Sequence, residues 1–134
     1  MGTALVDTNV LIDYLDDRSE WFDWSSAMLA EVADSGAVAI NAIIYSELSV
    51  AYRRIEEVED ALPHSFFQRL HLPWEAAFLA GQAFREYRRR GGKRTKALPD
   101  FYIGAHALVS NMTLLTRDAR RYRQYFPKLR IISP

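Results

Sequence analysis

Five short, largely apolar runs, at residues 4–7, 37–40, 70–73, 113–116 and 129–132, alternate with longer stretches in helical rhythm. That alternation constrains the chain more than any other feature. Short buried strands separated by helices form a parallel sheet covered on both faces, with right-handed crossovers. The helical stretches fall at residues 8–15, 21–33, 42–53, 57–69, 75–90, 101–109 and 119–125. Pro63 starts or kinks the fourth of these. In the fifth, Phe78, Leu79, Ala83 and Tyr87 are spaced to face a core, and Gly91-Gly92 ends it.

A length of 134 residues and 49% hydrophobic content suit one soluble globular domain spanning residues 1–134. With no cysteine, the chain has no disulfide, thiolate zinc site or cysteine nucleophile. No apolar run approaches the ~18 residues of a membrane span. Residues 1–15 lack a basic residue, and Asp7 and Asp13 interrupt their apolar stretch, so no secretion signal is read there. The expected location is cytoplasmic, with no membrane partner.

The net charge of zero conceals an asymmetry. Residues 1–63 carry −10 and residues 64–134 carry +10. Such a split points to an acidic site combined with an anion or nucleic-acid surface, or to two oppositely charged solvated faces.

Four acidic residues stand where ligands gather in α/β folds. Asp7 follows the first apolar run, and ligands bind beyond the carboxyl ends of parallel strands. The same position allows Asp7 or Thr8 to cap the next helix. Glu47 shares a helix face with Ile44, Leu48 and Ala51, so it points toward the apolar side. A carboxylate buried there needs a partner, either an arginine such as Arg53 or Arg54, or a metal. Asp100 opens an almost wholly apolar helix, as a cap or as a ligand. Asp118 repeats the strand-end placement of Asp7.

Brought to one sheet edge, these carboxylates would repel and raise one another's pKa values. A hard divalent cation, Mg²⁺ or Mn²⁺, would resolve the conflict. His64, His71 and His106 lie at no metal-ligand spacing and read as structural or surface residues. Arg89, Arg90, Lys93 and Arg94 lead into Asp100, while Arg117, Arg120 and Arg121 surround Asp118. All seven are candidate contacts to a phosphodiester.

The segments Val6-Asp7-Thr8-Asn9-Val10-Leu11-Ile12-Asp13, Tyr45-Ser46-Glu47-Leu48, Pro99-Asp100 and Leu115-Thr116-Arg117-Asp118 resemble the PIN-domain ribonucleases. The match is closest to the VapC toxins of bacterial toxin–antitoxin pairs and covers essentially the whole chain. The resemblance implies a three-layer α/β/α sandwich with a central, mainly parallel sheet. It also implies a metal-dependent endoribonuclease acting on structured RNA, with a tRNA or rRNA loop as target. Asp7, Glu47, Asp100 and Asp118 fall on the family's catalytic, metal-binding quartet, and Asn9 and Thr116 on its accessory positions. Asn41 stands where many members carry a small hydroxyl residue. A homodimer and a VapB-like antitoxin lying across the active-site groove are further implications.

Two rival readings remain. In one, Asp7 is the nucleophile of a phosphatase, although such enzymes carry a second Asp where this chain has Asn9. In the other, the chain is a non-catalytic RNA- or protein-binding module. Glu20-Trp21-Phe22-Asp23-Trp24 carries more aromatic surface than one helix face buries and is a candidate partner interface.

Overall fold

The computed structural model describes residues 2–134. Its elements, in chain order, are β1 (Thr3–Val6), α1 (Thr8–Tyr14), α2 (Phe22–Ser35), β2 (Ala37–Asn41), α3 (Ala42–Ser49) and α4 (Ile55–Ala61). They continue with β3 (Phe67–Leu70), α5 (Trp74–Arg89), α6 (Pro99–Val109), β4 (Thr113–Leu115), α7 (Arg120–Tyr125) and β5 (Ile131–Ile132). The strands form one sheet in the order β3-β2-β1-β4-β5, and every pairing is parallel. Leu5, Val6, Ala39, Ile40, Leu114 and Leu115 are all buried. Consecutive burial, without alternation, is the mark of strands covered on both faces. α1 contacts α2 and α3, α3 contacts α4, and α6 contacts α5 and α7; with right-handed crossovers this strand order puts α1–α4 on one face of the sheet and α5–α7 on the other.

The strand order fixes where a ligand can sit. From β1 the chain moves toward β2, and from β4 it moves the opposite way, toward β5. β1 and β4 are neighbours, so the connections leaving their carboxyl ends diverge and open a crevice between them. Asp7 and Asp118 are carried by those two connections.

Several expectations from the sequence need correction. The helix expected over 57–69 runs instead over Ile55–Ala61, and Leu62 adopts φ −123°, ψ 66°. A residue before proline is pushed out of the helical region, so Pro63 terminates the helix rather than starting or kinking it. The freed chain supplies β3 at Phe67–Leu70, three residues before the strand expected at 70–73, with Val38 opposite Phe67. The third helix ends at Ser49, short of Arg53.

On α5, Phe78 is 69% exposed and does not face the core. The buried stripe is Ala76, Ala80 and Ala83, at the spacing of one helix face. Small side chains there let α6 approach closely, which leaves the larger Phe78 on the far side. α6 itself is pressed against α7 and the residue that follows it. A Cβ on Gly104 would lie 2.6 Å from the Phe126 ring and 3.0 Å from that of Tyr122, so only glycine fits without displacing them.

Candidate active site

Asp7 caps α1, and its Oδ1 accepts the Thr8 backbone N–H at 2.8 Å. Its Oδ2 accepts the hydroxyls of Thr116 and Tyr122, each at 2.8 Å. The carboxylate is therefore anchored from the first residue of α1, from the end of β4 and from α7 at once. It is also 4% exposed. Burial pushes the Asp7 carboxyl up to about 6, and the neighbouring Asp100 charge adds to the rise against the hydrogen bonds that oppose it.

Glu47 reaches the same cleft from α3, and its Oε1 accepts the Thr8 hydroxyl at 2.7 Å. Neither Arg53 nor Arg54 pairs with it; their backbone N–H groups donate to Glu57 instead. Desolvation raises Glu47, with the charge of Asp100 contributing in the same direction. Asp100, in the first turn of α6, accepts the Tyr122 hydroxyl at Oδ1 and Arg121 at Oδ2, both at 3.3 Å. Asp118 accepts a fork from Arg120, Nε to Oδ1 at 3.0 Å and Nη2 to Oδ2 at 2.8 Å. That guanidinium holds the Asp118 carboxyl down at about 2.

Two polar side chains tie the strand ends together. Asn9 Nδ2 donates to Thr116 Oγ1 at 3.2 Å, and Asn9 Oδ1 accepts the Arg117 N–H at 3.0 Å. The Thr116 hydroxyl, fully buried, also accepts the Asp118 N–H at 3.2 Å. Asn9 and Thr116 thereby set the path of the segment that carries Asp118.

Asp7, Glu47, Asp100 and Asp118 line one open cleft of ≈ 580 Å³, with Arg120, Arg121 and Gln124 of α7 along the same wall. Among the described residues, no three carboxylates converge on one ion position as their side chains stand. Asp118 is turned onto Arg120 and Asp100 onto Arg121. Arg120 is 90% exposed and Arg121 42%, so solvent competes for both guanidinium groups and the pairs open readily. The donor set fits a hard divalent cation, because it is oxygen-only and a cation relieves the conditions that raise Asp7 and Glu47.

The other basic candidates lie outside the cleft lining. Arg89 and Arg90 pair with Glu86 on their own helix at 3.0 and 2.8 Å. Arg88 donates to the Arg94 carbonyl, and Lys93 and Arg94 are exposed. Arg117 donates through Nε to Asp13 Oδ2 at 2.8 Å and lies over the Trp21 ring. His106 is buried, and its Nδ1 accepts Asn41 Nδ2 at 2.9 Å, so it serves the packing of α6 against the end of β2.

Sequence reasoning missed Tyr122, which touches two of the four acids, and Asp13. Asp13 is 2% exposed and accepts Ser19, Ser25 and Arg117. A tyrosine three residues after Ala119 and four before Phe126 falls on the buried face of its helix, which was the available signal for Tyr122. Asp13 lies three residues from Val10 and so shares its buried side.

The family description "PIN domain" matches residues 4–127. The chain belongs to the PIN-domain family. Among curated protein sequences, none matches it. Solved structures with the same fold include VapBC2 from Rickettsia felis bound to a DNA fragment from its promoter. That similarity has TM-score 0.74 at 20% identity, covering 98% of both chains. VapBC-1 from nontypeable Haemophilus influenzae gives TM-score 0.74 at 20% identity over 98% of this chain and 97% of that one. FitAcB from Neisseria gonorrhoeae gives 0.71 at 22% over 96% of each. At these identities the likeness is one of fold, and this PIN domain shares its architecture with all three.

Proposed function

We propose that this PIN domain, residues 1–134, is a metal-dependent endoribonuclease that cuts structured RNA as the toxin of a toxin–antitoxin pair. The observation that carries the reading is the convergence of Asp7, Glu47, Asp100 and Asp118 on one cleft, from separate elements, at the crevice between β1 and β4. Asp7, Asp100 and Asp118 would hold Mg²⁺ or Mn²⁺, with Glu47 beside them. Held by these carboxylates, such an ion would supply Lewis acidity toward water and the phosphate oxygens.

The protein's own groups do the remaining work. Thr8 orients Glu47, while Thr116 and Asn9 hold Asp7 and the Asp118 segment. Arg120 and Arg121, on the same wall, are placed to receive a phosphate once drawn off their carboxylates. The open cleft suits an unpaired loop, since duplex RNA hides its base edges in a groove side chains do not read; a tRNA or rRNA loop fits that requirement.

A VapB-like antitoxin is supported by the neighbours, which include structures solved as VapBC complexes. A homodimer is supported by Trp74 and Phe78, 88% and 69% exposed and one turn apart on α5, because paired apolar surface of this kind marks an interface. Trp21, Phe22 and Trp24 are half-buried, with Trp24 packed on the core, and offer less free surface. The test is incubation with total cellular RNA, with Mg²⁺ or with EDTA, followed by fragment-end mapping. Discrete new ends that require the metal support the reading; an unchanged RNA profile under both conditions rejects it.

A further inference from the structure

Tyr122 is 1% exposed, yet its hydroxyl stands between two acids of the cleft. It donates to Asp7 Oδ2 at 2.8 Å and lies 3.3 Å from Asp100 Oδ1. One phenol proton thus serves two carboxylates that arrive from opposite layers, Asp7 ahead of α1 and Asp100 on α6. Nothing else among the described side-chain bonds joins those two acids. The ring is fixed as firmly as the hydroxyl: it packs beside Phe126 in the space that Gly104 leaves open.

We propose that Tyr122 is a positioning residue that sets the separation and orientation of Asp7 and Asp100 for a divalent cation. This rests on the reading of the cleft as a metal site. An outer partner that orients a metal-binding carboxylate contributes 10–100-fold in metal affinity when removed. A buried phenol is suited to the task. Its ring is buried, and its burial disfavours the phenolate. Its hydroxyl shares Asp7 Oδ2 with Thr116 while, among the described residues, Asp7 Oδ1 is bonded only by the Thr8 N–H.

The test uses the metal alone. Mn²⁺ dissociation constants are measured at pH 7.5 by isothermal titration for the wild type, Tyr122→Phe, Phe126→Leu and Asp100→Asn. Tyr122→Phe should weaken Mn²⁺ binding at least tenfold while its melting temperature in EDTA stays close to wild type. Phe126→Leu perturbs the same packing but keeps the hydroxyl, and should bind Mn²⁺ as the wild type does. Equal affinity in wild type and Tyr122→Phe overturns the inference, as does an equal loss in Phe126→Leu, which would assign the effect to packing. A wild type that binds no Mn²⁺, or an Asp100→Asn that binds it undiminished, overturns the metal-site reading and this inference with it.

Discussion

Glu47 Oε1 accepts a 2.7 Å hydrogen bond from the Thr8 hydroxyl, which joins α3 to the first turn of α1 directly beside Asp7. Through that bond, one helix N-terminus organises two of the cleft acids. Thr8 bonds Asp7 with its backbone and Glu47 with its side chain.

Thr8→Val tests this coupling. Valine preserves the buried volume but leaves a half-buried carboxylate oxygen without its donor. The expected loss of stability is about 1 kcal/mol, and the expected loss of RNA cleavage is about tenfold. Urea denaturation and initial cleavage rates check the two effects, and Thr8→Ser should restore the cleavage rate.

The burial of Asp7 has a signed consequence for pH. In the folded chain its carboxyl keeps a proton up to about 6, against 3.8 for the free group. Between those values the folded state binds more protons than the unfolded one, so stability falls as pH rises through that window. Asp7→Asn removes the charge that burial opposes. In EDTA the stability of the variant relative to wild type should rise by on the order of 2 kcal/mol between pH 4 and pH 7.5. Urea midpoints across this pH range check the rise.

Asp13 predicts a structural lesion rather than a chemical one. Its buried carboxylate holds Ser19, Ser25 and Arg117, and Arg117 precedes Asp118 in the chain. Asp13→Ala leaves a guanidinium and two hydroxyls without their acceptor. Breaking such a buried network costs about 3–5 kcal/mol when both partners are enclosed. Arg117 is 33% exposed, so about 2–3 kcal/mol is expected after solvent screening. Chemical denaturation of the metal-free protein measures it, and the lost stability should appear without any dependence on Mn²⁺.

The arginines of the cleft wall and those of α5 separate by salt dependence. Each phosphate neutralised on a single strand contributes roughly −0.7 to the slope of log K against log salt. Arg120→Ala with Arg121→Ala should flatten the slope for RNA binding by about 1.4 by that rule. Arg89→Ala with Arg90→Ala should change it less, because Glu86 already engages both guanidinium groups. Filter binding over a range of KCl concentrations distinguishes the pairs.

The contrast between α5 and the strand ends shows what the sequence could convey. Asp7 and Asp118 were legible because each follows an apolar run, and a parallel sheet brings strand ends to one edge whatever the details. Glu47 was legible through its apolar helix face, although its actual partner, Thr8, lies 39 positions away. The rotation of α5 was not legible. Phe78 and Ala76 compete for the core, and close packing against α6 selects alanine. β3 was misplaced because the apolar residues around Pro63 suit a strand or a helix until the proline's steric demand on Leu62 decides. Tyr122 escaped notice because a buried tyrosine reads as core until the acids around its hydroxyl are in place.

If the four carboxylates form one divalent-cation site, thermal melts of the wild type and of Asp100→Asn must respond differently to Mn²⁺. Each protein is melted in EDTA and in Mn²⁺ at 100 times the wild-type dissociation constant. Mass action gives about 2.7 kcal/mol of stabilisation at that ratio. The melting temperature of the wild type should rise clearly in Mn²⁺ and that of Asp100→Asn much less, with both proteins folded in EDTA. An equal response to Mn²⁺ in the two proteins, or no response in the wild type, would contradict a single divalent-cation site.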